Sequence, residues 1–202
     1  MINEVRIYVE GGGDKETKAW VRQGFSSFLK DFVDIARSRK IKWQIIACGP
    51  RNNAYRDFMK ALKTHPDVFN MLVVDSEGPV KGKPWAHLQR RDGWTSHGVD
   101  DAQCHLMVQM MEAWFIADIN ALEGFYGQGF NANAIPKNTN VEKISKHRIE
   151  SALKAATQRT TKGEYHKTHH GPKLLEQLDV SKVRKAAPHC DRLFTILEEK
   201  MT

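Results

Sequence analysis

The sequence predicts an α/β protein: a mostly parallel sheet flanked by helices, followed by a helical C-terminal part. Three observations predict it. Short β-branched runs alternate with helical spacings through the first half of the chain. The run Phe69-Asn70-Met71-Leu72-Val73-Val74 is almost continuously apolar, which suits a strand covered by helices on both faces. Beyond residue 140 the apolar residues recur at helical spacing.

Each element has its own reason. Residues 5–9 are a short β-branched strand ending at Glu10. Gly11-Gly12-Gly13 turns the chain, and Asp14 offers a side chain to cap a helix. Ala19, Trp20, Phe25, Phe28, Leu29, Phe32 and Ile35 recur at helical spacing, predicting one helix over 15–39. Residues 42–47 form a second strand, and 53–63 a helix with Tyr55, Phe58, Met59 and Leu62 on one face. The apolar run at 69–74 is the third strand. A polar, basic and aromatic loop follows, to about residue 101. Residues 104–108 make a fourth strand and 110–122 a helix. The Gly- and Asn-rich stretch 124–140 reads as a connector. Residues 141–159 form a basic amphipathic helix, 160–170 a polar loop, and 172–178 and 191–200 helices. A β-α-β-α-β rhythm of this kind builds an α/β sheet.

Composition agrees. The 202 residues are 41% hydrophobic and 27% charged, ordinary globular usage. A disordered, collagen-like or disulfide-stapled chain is excluded. The length suits one domain, 1–202, with an α/β core at 1–123 and a basic helical extension at 124–202 packed on it. Cys48, Cys104 and Cys190 are odd in number and far apart, so reduced thiols are expected. The N-terminus lacks a secretory pattern and no apolar run reaches membrane-spanning length. A soluble, cytoplasmic protein with no membrane partner is expected.

The acidic residues fall in informative places. Glu10 follows strand one; Asp75 and Glu77 follow strand three. Ligands of open α/β sheets bind outside the carboxyl ends of the strands. Parallel strands therefore bring these three acids to one edge. Converging carboxylates repel one another unless a divalent cation sits among them, and an all-oxygen set suits Mg²⁺ or Mn²⁺. Taken singly, each acid also fits a solvated loop or a turn.

Val9-Glu10-Gly11 together with Val73-Val74-Asp75-Ser76-Glu77 resembles a Toprim domain, the Rossmann-like module shared by topoisomerases, primases and overcoming-lysogenization-defect nucleases. Met111-Glu112-Ala113-Trp114-Phe115-Ile116-Ala117-Asp118 extends the resemblance. So does Tyr165-His166-Lys167-Thr168-His169-His170-Gly171-Pro172-Lys173-Leu174-Leu175. Together these motifs resemble the small Toprim-like family of unknown function DUF4276, which is encoded beside AAA-type ATPases in phage-defence islands. The resemblance implies that Glu10 and Asp75 are the Toprim Glu and first Asp. Glu77 stands where many Toprim domains have a second Asp, a departure that keeps the carboxylate and lengthens its arm. Glu112 matches the family's Glu-Ala-Trp motif and joins the metal ligands by that resemblance; otherwise it is a helix-surface or capping acid.

Basic groups complete the reading. Lys167, His169 and His170 lie in a loop before a helix whose first residues include Pro172, and the free N–H groups of a helix start attract anions. Lys167 is the candidate to offset charge on a scissile phosphate, and His170 to orient or contact it. Lys81, Lys83, Trp85, His87, Arg90, Arg91 and Trp94 mix basic and aromatic groups. That mixture suits a nucleic-acid surface and equally suits a loop whose tryptophans enter the core. A zinc site, a P-loop and a nucleophile elbow are not supported.

The net charge of +7 is uneven: residues 78–91 carry +4 and residues 137–173 carry +6, leaving −3 elsewhere. The expected function is therefore a metal-dependent nuclease with Glu10, Asp75, Glu77 and Lys167 as catalytic residues. Glu10, Asp75, Glu77 and Glu112 are the metal set, and Lys81, Lys83, Arg90, Arg91, His169 and His170 the nucleic-acid contacts. Expected partners are nucleic acid, DNA before RNA, and an AAA-type ATPase; a homo-oligomer is compatible. The alternatives are a non-catalytic subunit that binds nucleic acid or the ATPase, and a phosphoryl-transfer enzyme acting on nucleotides.

Overall fold

The computed structural model describes residues 2–201. Four strands form one parallel sheet: β1 (Glu4–Val9), β2 (Lys42–Ala47), β3 (Phe69–Asp75) and β4 (Cys104–Met107), in the order β2-β1-β3-β4. The chain passes from β1 to one side, then returns to the other side of β1. The crevice at the carboxyl ends of β1 and β3 is thus the topological switch point, where such sheets bind ligands. The register pairs Val9 with Val73, which sets Glu10 beside the end of β3.

Helices cover both faces. Met71 and Val73 of β3 face the larger core, while Leu72 and Val74 face the smaller one, the alternation a pleated strand imposes. The larger core is built with α1 (Lys15–Phe28), α2 (Lys30–Ser38) and helices of the C-terminal part. The smaller core is built with α3 (Arg51–Thr64) and α4 (Pro84–Asp92). The remaining helices are α5 (Glu112–Ala117), α6 (Ile119–Tyr126), α7 (Lys146–Thr157), α8 (Lys167–Leu175), α9 (Val180–Ala186) and α10 (Pro188–Met201). No helix among the described residues is long and apolar enough to cross a membrane.

The fold class agrees with the sequence expectation, and several boundaries are corrected. The helix expected over 15–39 breaks at Leu29, a buried residue that is the C-cap of α1 and the N-cap of α2. The helix expected over 110–122 breaks at Asp118. Its buried carboxylate accepts from Lys182 Nζ at 2.7 Å and from the Asp179 backbone N–H at 2.9 Å. The loop expected to run to residue 101 contains α4, which has Pro84 in its first turn and Gly93 in the left-handed conformation after it. Within the helix expected over 141–159, only 146–157 is α-helical, with Ser145 capping it. The polar loop expected over 160–170 ends early: α8 starts at Lys167, so His169 and His170 lie on a helix and Pro172 lies inside it. α9 was not expected; Asp179 caps it.

α1 and α8 cross closely at Gly24. A Cβ there would lie 2.7 Å from the Pro172 carbonyl oxygen, so only glycine admits this approach. The contact matters because α8 carries Lys167.

β4 buries His105, which is 1% exposed. Its Nε2 lies 3.0 Å from the Ala102 carbonyl and its Nδ1 3.2 Å from Arg192 Nη1. The neutral ring satisfies both, donating from Nε2 and accepting at Nδ1. Burial, then the Arg192 charge, push its pKa down to about 3. A histidine depressed in the fold stabilises above its unfolded pKa, and that stability is lost as pH falls towards the folded value. Between about pH 7.5 and about pH 5, this group is expected to remove about 2 kcal/mol of unfolding free energy. Urea unfolding of the wild type and His105→Gln at both pH values checks it; equal pH slopes would sink the assignment.

Candidate metal and phosphate site

Three carboxylates meet at the switch point. Each of Glu10, Asp75 and Glu77 offers an oxygen, and these lie within 4.8 Å of one another. Glu10 extends from the end of β1, and its Oε2 accepts from the Asp75 backbone N–H at 3.3 Å. Asp75 ends β3 and is 2% exposed; its Oδ1 accepts from the Met111 N–H at 2.8 Å. The turn after β3 is held by Ser76 and Glu77 N–H groups donating to the Met107 and Gln109 carbonyls. His87 Nε2 at 2.8 Å from the Ser76 carbonyl adds a third tie. Glu77 has φ +61°, so the turn holds a non-glycine residue in the left-handed region at the site itself.

Cations surround the acids. Lys167 Nζ lies 3.2 Å from Asp75 Oδ2 and 3.7 Å from Glu112 Oε1. Lys146 Nζ lies 2.5 Å from Glu77 Oε2, and Arg91 is 4.0 Å from the same oxygen. Arg51 donates to Glu10 Oε2 at 3.4 Å and to the Asp75 carbonyl. Arg51 is itself clamped by both oxygens of Asp92 and stacked 4.8 Å over Trp94.

The electrostatics separate the acids. Burial and the neighbouring Asp75 charge raise the Glu10 pKa above the usual carboxylate value, against Arg51 and Lys167. For Glu77, burial pulls upward but Lys146, Arg91 and Lys167 outweigh it and the pKa is lowered. Burial would lower Lys167; Asp75, Glu112 and Glu10 override it and hold the ammonium charged.

Glu112 lies apart from the three-carboxylate set. It is 1% exposed at the start of α5. Its Oε1 accepts from Tyr165 Oη at 2.9 Å, and its Oε2 has no hydrogen-bond partner. Burial raises its pKa, Lys167 opposes and Asp75 adds to the rise. Lys167 Nζ lies between Glu112 and Asp75, within ion-pair distance of both.

The expected basic contacts disperse. Lys81, Lys83, Arg90 and Arg91 are exposed, while Trp85 and Trp94 are buried. Lys83 pairs with Asp101 at 3.4 Å and Arg90 donates to the Lys81 carbonyl. Arg91 alone of the four reaches Glu77. His169 is exposed and rests 5.4 Å from the Trp20 ring. His170 is tied to Tyr126 Oη at 2.9 Å and to the His166 N–H, away from the carboxylates.

A cleft of about 330 Å³ opens beside Glu10, Asp75 and Lys167, walled by the glycines at 11–13 and by Gly49. Two N–H groups of the glycine loop are already engaged. The Gly13 N–H donates to Thr17 Oγ1, the Gly11 N–H to the Gly49 carbonyl, and the Asp14 carboxylate caps α1.

A family model described as a domain of unknown function, DUF4276, matches residues 9–198. The chain belongs to this family. No curated protein and no solved structure matches it. The span of the DUF4276 match covers β2, β3 and β4, the last residue of β1 and every residue of the site described above. Arg51 and Lys146 of this DUF4276 chain are not among the expected site residues, and Tyr165 stands in the motif of Lys167 with no role given to it. Arg51 had a signal, because Pro50-Arg51 opens a helix directly after β2 and so at the same sheet edge. Lys146 comes from the C-terminal part with no local pattern joining it to the acids, while Tyr165 shares the motif of Lys167 but nothing in that motif shows that its hydroxyl meets Glu112.

Proposed function

We propose that the protein is a Toprim-like, metal-dependent nuclease that works in the cytoplasm. In this reading it cleaves DNA in preference to RNA and serves phage defence with an AAA-type ATPase. The observation that carries the reading is the three-carboxylate set with its lysine: Glu10, Asp75 and Glu77 within 4.8 Å, and Lys167 on Asp75. The donors fit a hard divalent cation, since all three are carboxylate oxygens without histidine or cysteine. Glu10, Asp75 and Glu77 would hold Mg²⁺ or Mn²⁺, with Glu112 behind Lys167. When bound, the ion would polarise a phosphoryl oxygen and lower the pKa of bound water.

The chain's own residues do the rest. Lys167, 51% exposed on its side chain, has room to turn from Asp75 to a phosphate oxygen and offset charge developing on it. Arg51, pinned by Asp92 and Trp94, keeps Glu10 and the end of β3 in place. Lys146 occupies Glu77 and must yield as a cation enters; its side chain is 32% exposed.

The Lys146–Glu77 pair also favours a second reading, a non-catalytic subunit whose third carboxylate is already neutralised. Purified protein with plasmid, linear and single-stranded DNA, and with RNA, in Mg²⁺, Mn²⁺ or chelator separates them. Metal-dependent cleavage supports the nuclease. Absence of cleavage together with absence of Mn²⁺ binding supports the subunit. Loss of phage protection on deleting the gene tests the defence role.

A further inference from the structure

We infer that the cleft beside the carboxylates receives the base and sugar of one unpaired nucleotide whose phosphate lies at Glu10, Asp75 and Lys167. This rests on the metal-site reading and names the class of substrate that site takes. The walls are mostly apolar: Val21, Pro50, Met107, Met111 and Pro172 face the space. Its charged groups are Glu10, Asp75 and Lys167, which lie together: Lys167 Nζ is 3.2 Å from Asp75 Oδ2, and Glu10 Oε2 accepts from the Asp75 N–H. An apolar body joined to a charged end matches a nucleotide, an aromatic base carrying a phosphate. A volume of about 330 Å³ lies at the low end of small-ligand sites, so it holds one such unit and not a base pair.

The glycines keep the space open. A Cβ at Gly11 would stand 3.3 Å from Val21 Cγ2, between two wall residues. Gly11 and Gly49 exchange backbone hydrogen bonds at 2.9 and 3.0 Å and both have positive φ, so this bare wall is rigid. With their N–H groups engaged, Gly11 and Gly13 do not donate to a phosphate, and Lys167 is the cation that lines the cleft. Methionine sulfur in the wall favours an aromatic occupant. A base within a duplex is stacked on both faces. It reaches such a cleft only after leaving the stack, at a cost a single strand largely avoids. The chemistry therefore selects an unpaired nucleotide, either free or in a single strand.

2-Aminopurine fluorescence tests this with three probes in Mg²⁺. They are the free 2-aminopurine deoxynucleotide, a cleavage-resistant phosphorothioate single strand carrying the base at its end, and a blunt duplex carrying it internally. The duplex probe is expected to bind at least about tenfold more weakly than the better unpaired probe. Val21→Phe, which fills the cleft, is expected to weaken the unpaired probes at least about tenfold while Mn²⁺ binding persists. Should Val21→Phe fail to fold, Thr168→Phe places a ring in the cleft from α8. Free nucleotide binding as tightly as the strand identifies the free form as the source; tighter strand binding identifies the strand. Equal binding of duplex and single strand, or fluorescence indifferent to both fillings, overturns the inference. If Mn²⁺ does not bind, the metal reading fails separately. Val21-dependent quenching without metal then still upholds the cleft, and its absence overturns it.

Discussion

Asp75→Asn is expected to lower metal-dependent cleavage by about 10²–10³-fold while the protein remains folded. Lewis-acid stabilisation by a bound cation contributes several kcal/mol, and each 1.36 kcal/mol is about a decade in rate. Asparagine preserves the acceptor for the Met111 N–H, so the backbone turn survives. It removes the charge that holds Lys167 at 3.2 Å and one of three anionic ligands. Glu10→Gln should lose activity comparably, and its effect on the metal-free fold follows from its own electrostatics. The Glu10 pKa is raised by burial and by Asp75. A carboxylate raised in the fold contributes stability below its unfolded pKa, and that contribution is lost as pH rises through the folded value. At neutral pH its charge therefore works against folding, and the amide relieves it. Glu10→Gln is accordingly expected to match or exceed wild-type thermal stability without metal. Mn²⁺ at about 100 times its dissociation constant should stabilise the wild type by about 2.7 kcal/mol and each variant by less. Thermal melts with and without Mn²⁺, beside a cleavage assay, read all of this. Variants that cut like wild type and gain equally from Mn²⁺ would remove these residues from the site.

Trp114→Ala is expected to cost about 3–5 kcal/mol of unfolding free energy. An ordinary domain has only about 5–15 kcal/mol in total. Trp114 is 1% exposed on α5. It stacks on Phe28 at 5.0 Å and meets Phe25 edge-on at 6.4 Å. Phe28 in turn meets Phe194 of α10 at 5.5 Å. One ring thus ties α1 to the helix of Glu112, and through Phe28 to the C-terminal helix. Trp114→Phe keeps an aromatic surface and sacrifices no hydrogen bond, because the indole Nε1 has no partner. It should cost markedly less. Urea unfolding of both variants decides the matter, and equal losses would show that ring stacking does not carry the contact.

How much of this was legible in the chain depends on the range of each signal. The strands were legible because burial on both faces of β3 leaves an uninterrupted apolar run at 69–74. Their parallel course followed from the helices between them. Convergence of Glu10 with Asp75 and Glu77 followed in turn, since parallel strands place their carboxyl ends on one edge. The Asp14 cap was legible because capping is set within four residues, and Thr17 completes it. The Pro84 and Gly93 signals of α4 were equally local, but the basic and aromatic residues between them suggested a loop. The break at Asp118 had no local sign: its carboxylate is satisfied by Lys182 and the Asp179 N–H, over 60 residues away.

By itself the sequence determined the alternation of strands and helices, the sheet edge at which the acids end and the hard-oxygen character of their ligands. Those properties follow from side-chain periodicity and from chemistry carried within each residue. Only the tertiary structure decided that Lys167 and Lys146 reach Asp75 and Glu77, that Arg51 clamps the floor, and that Glu112 sits buried behind the lysine. It also decided that an apolar cleft opens at that edge. The Lys146 and Lys167 pairings span 69 and 92 positions of the chain, and long-range packing leaves no period in the local sequence to read.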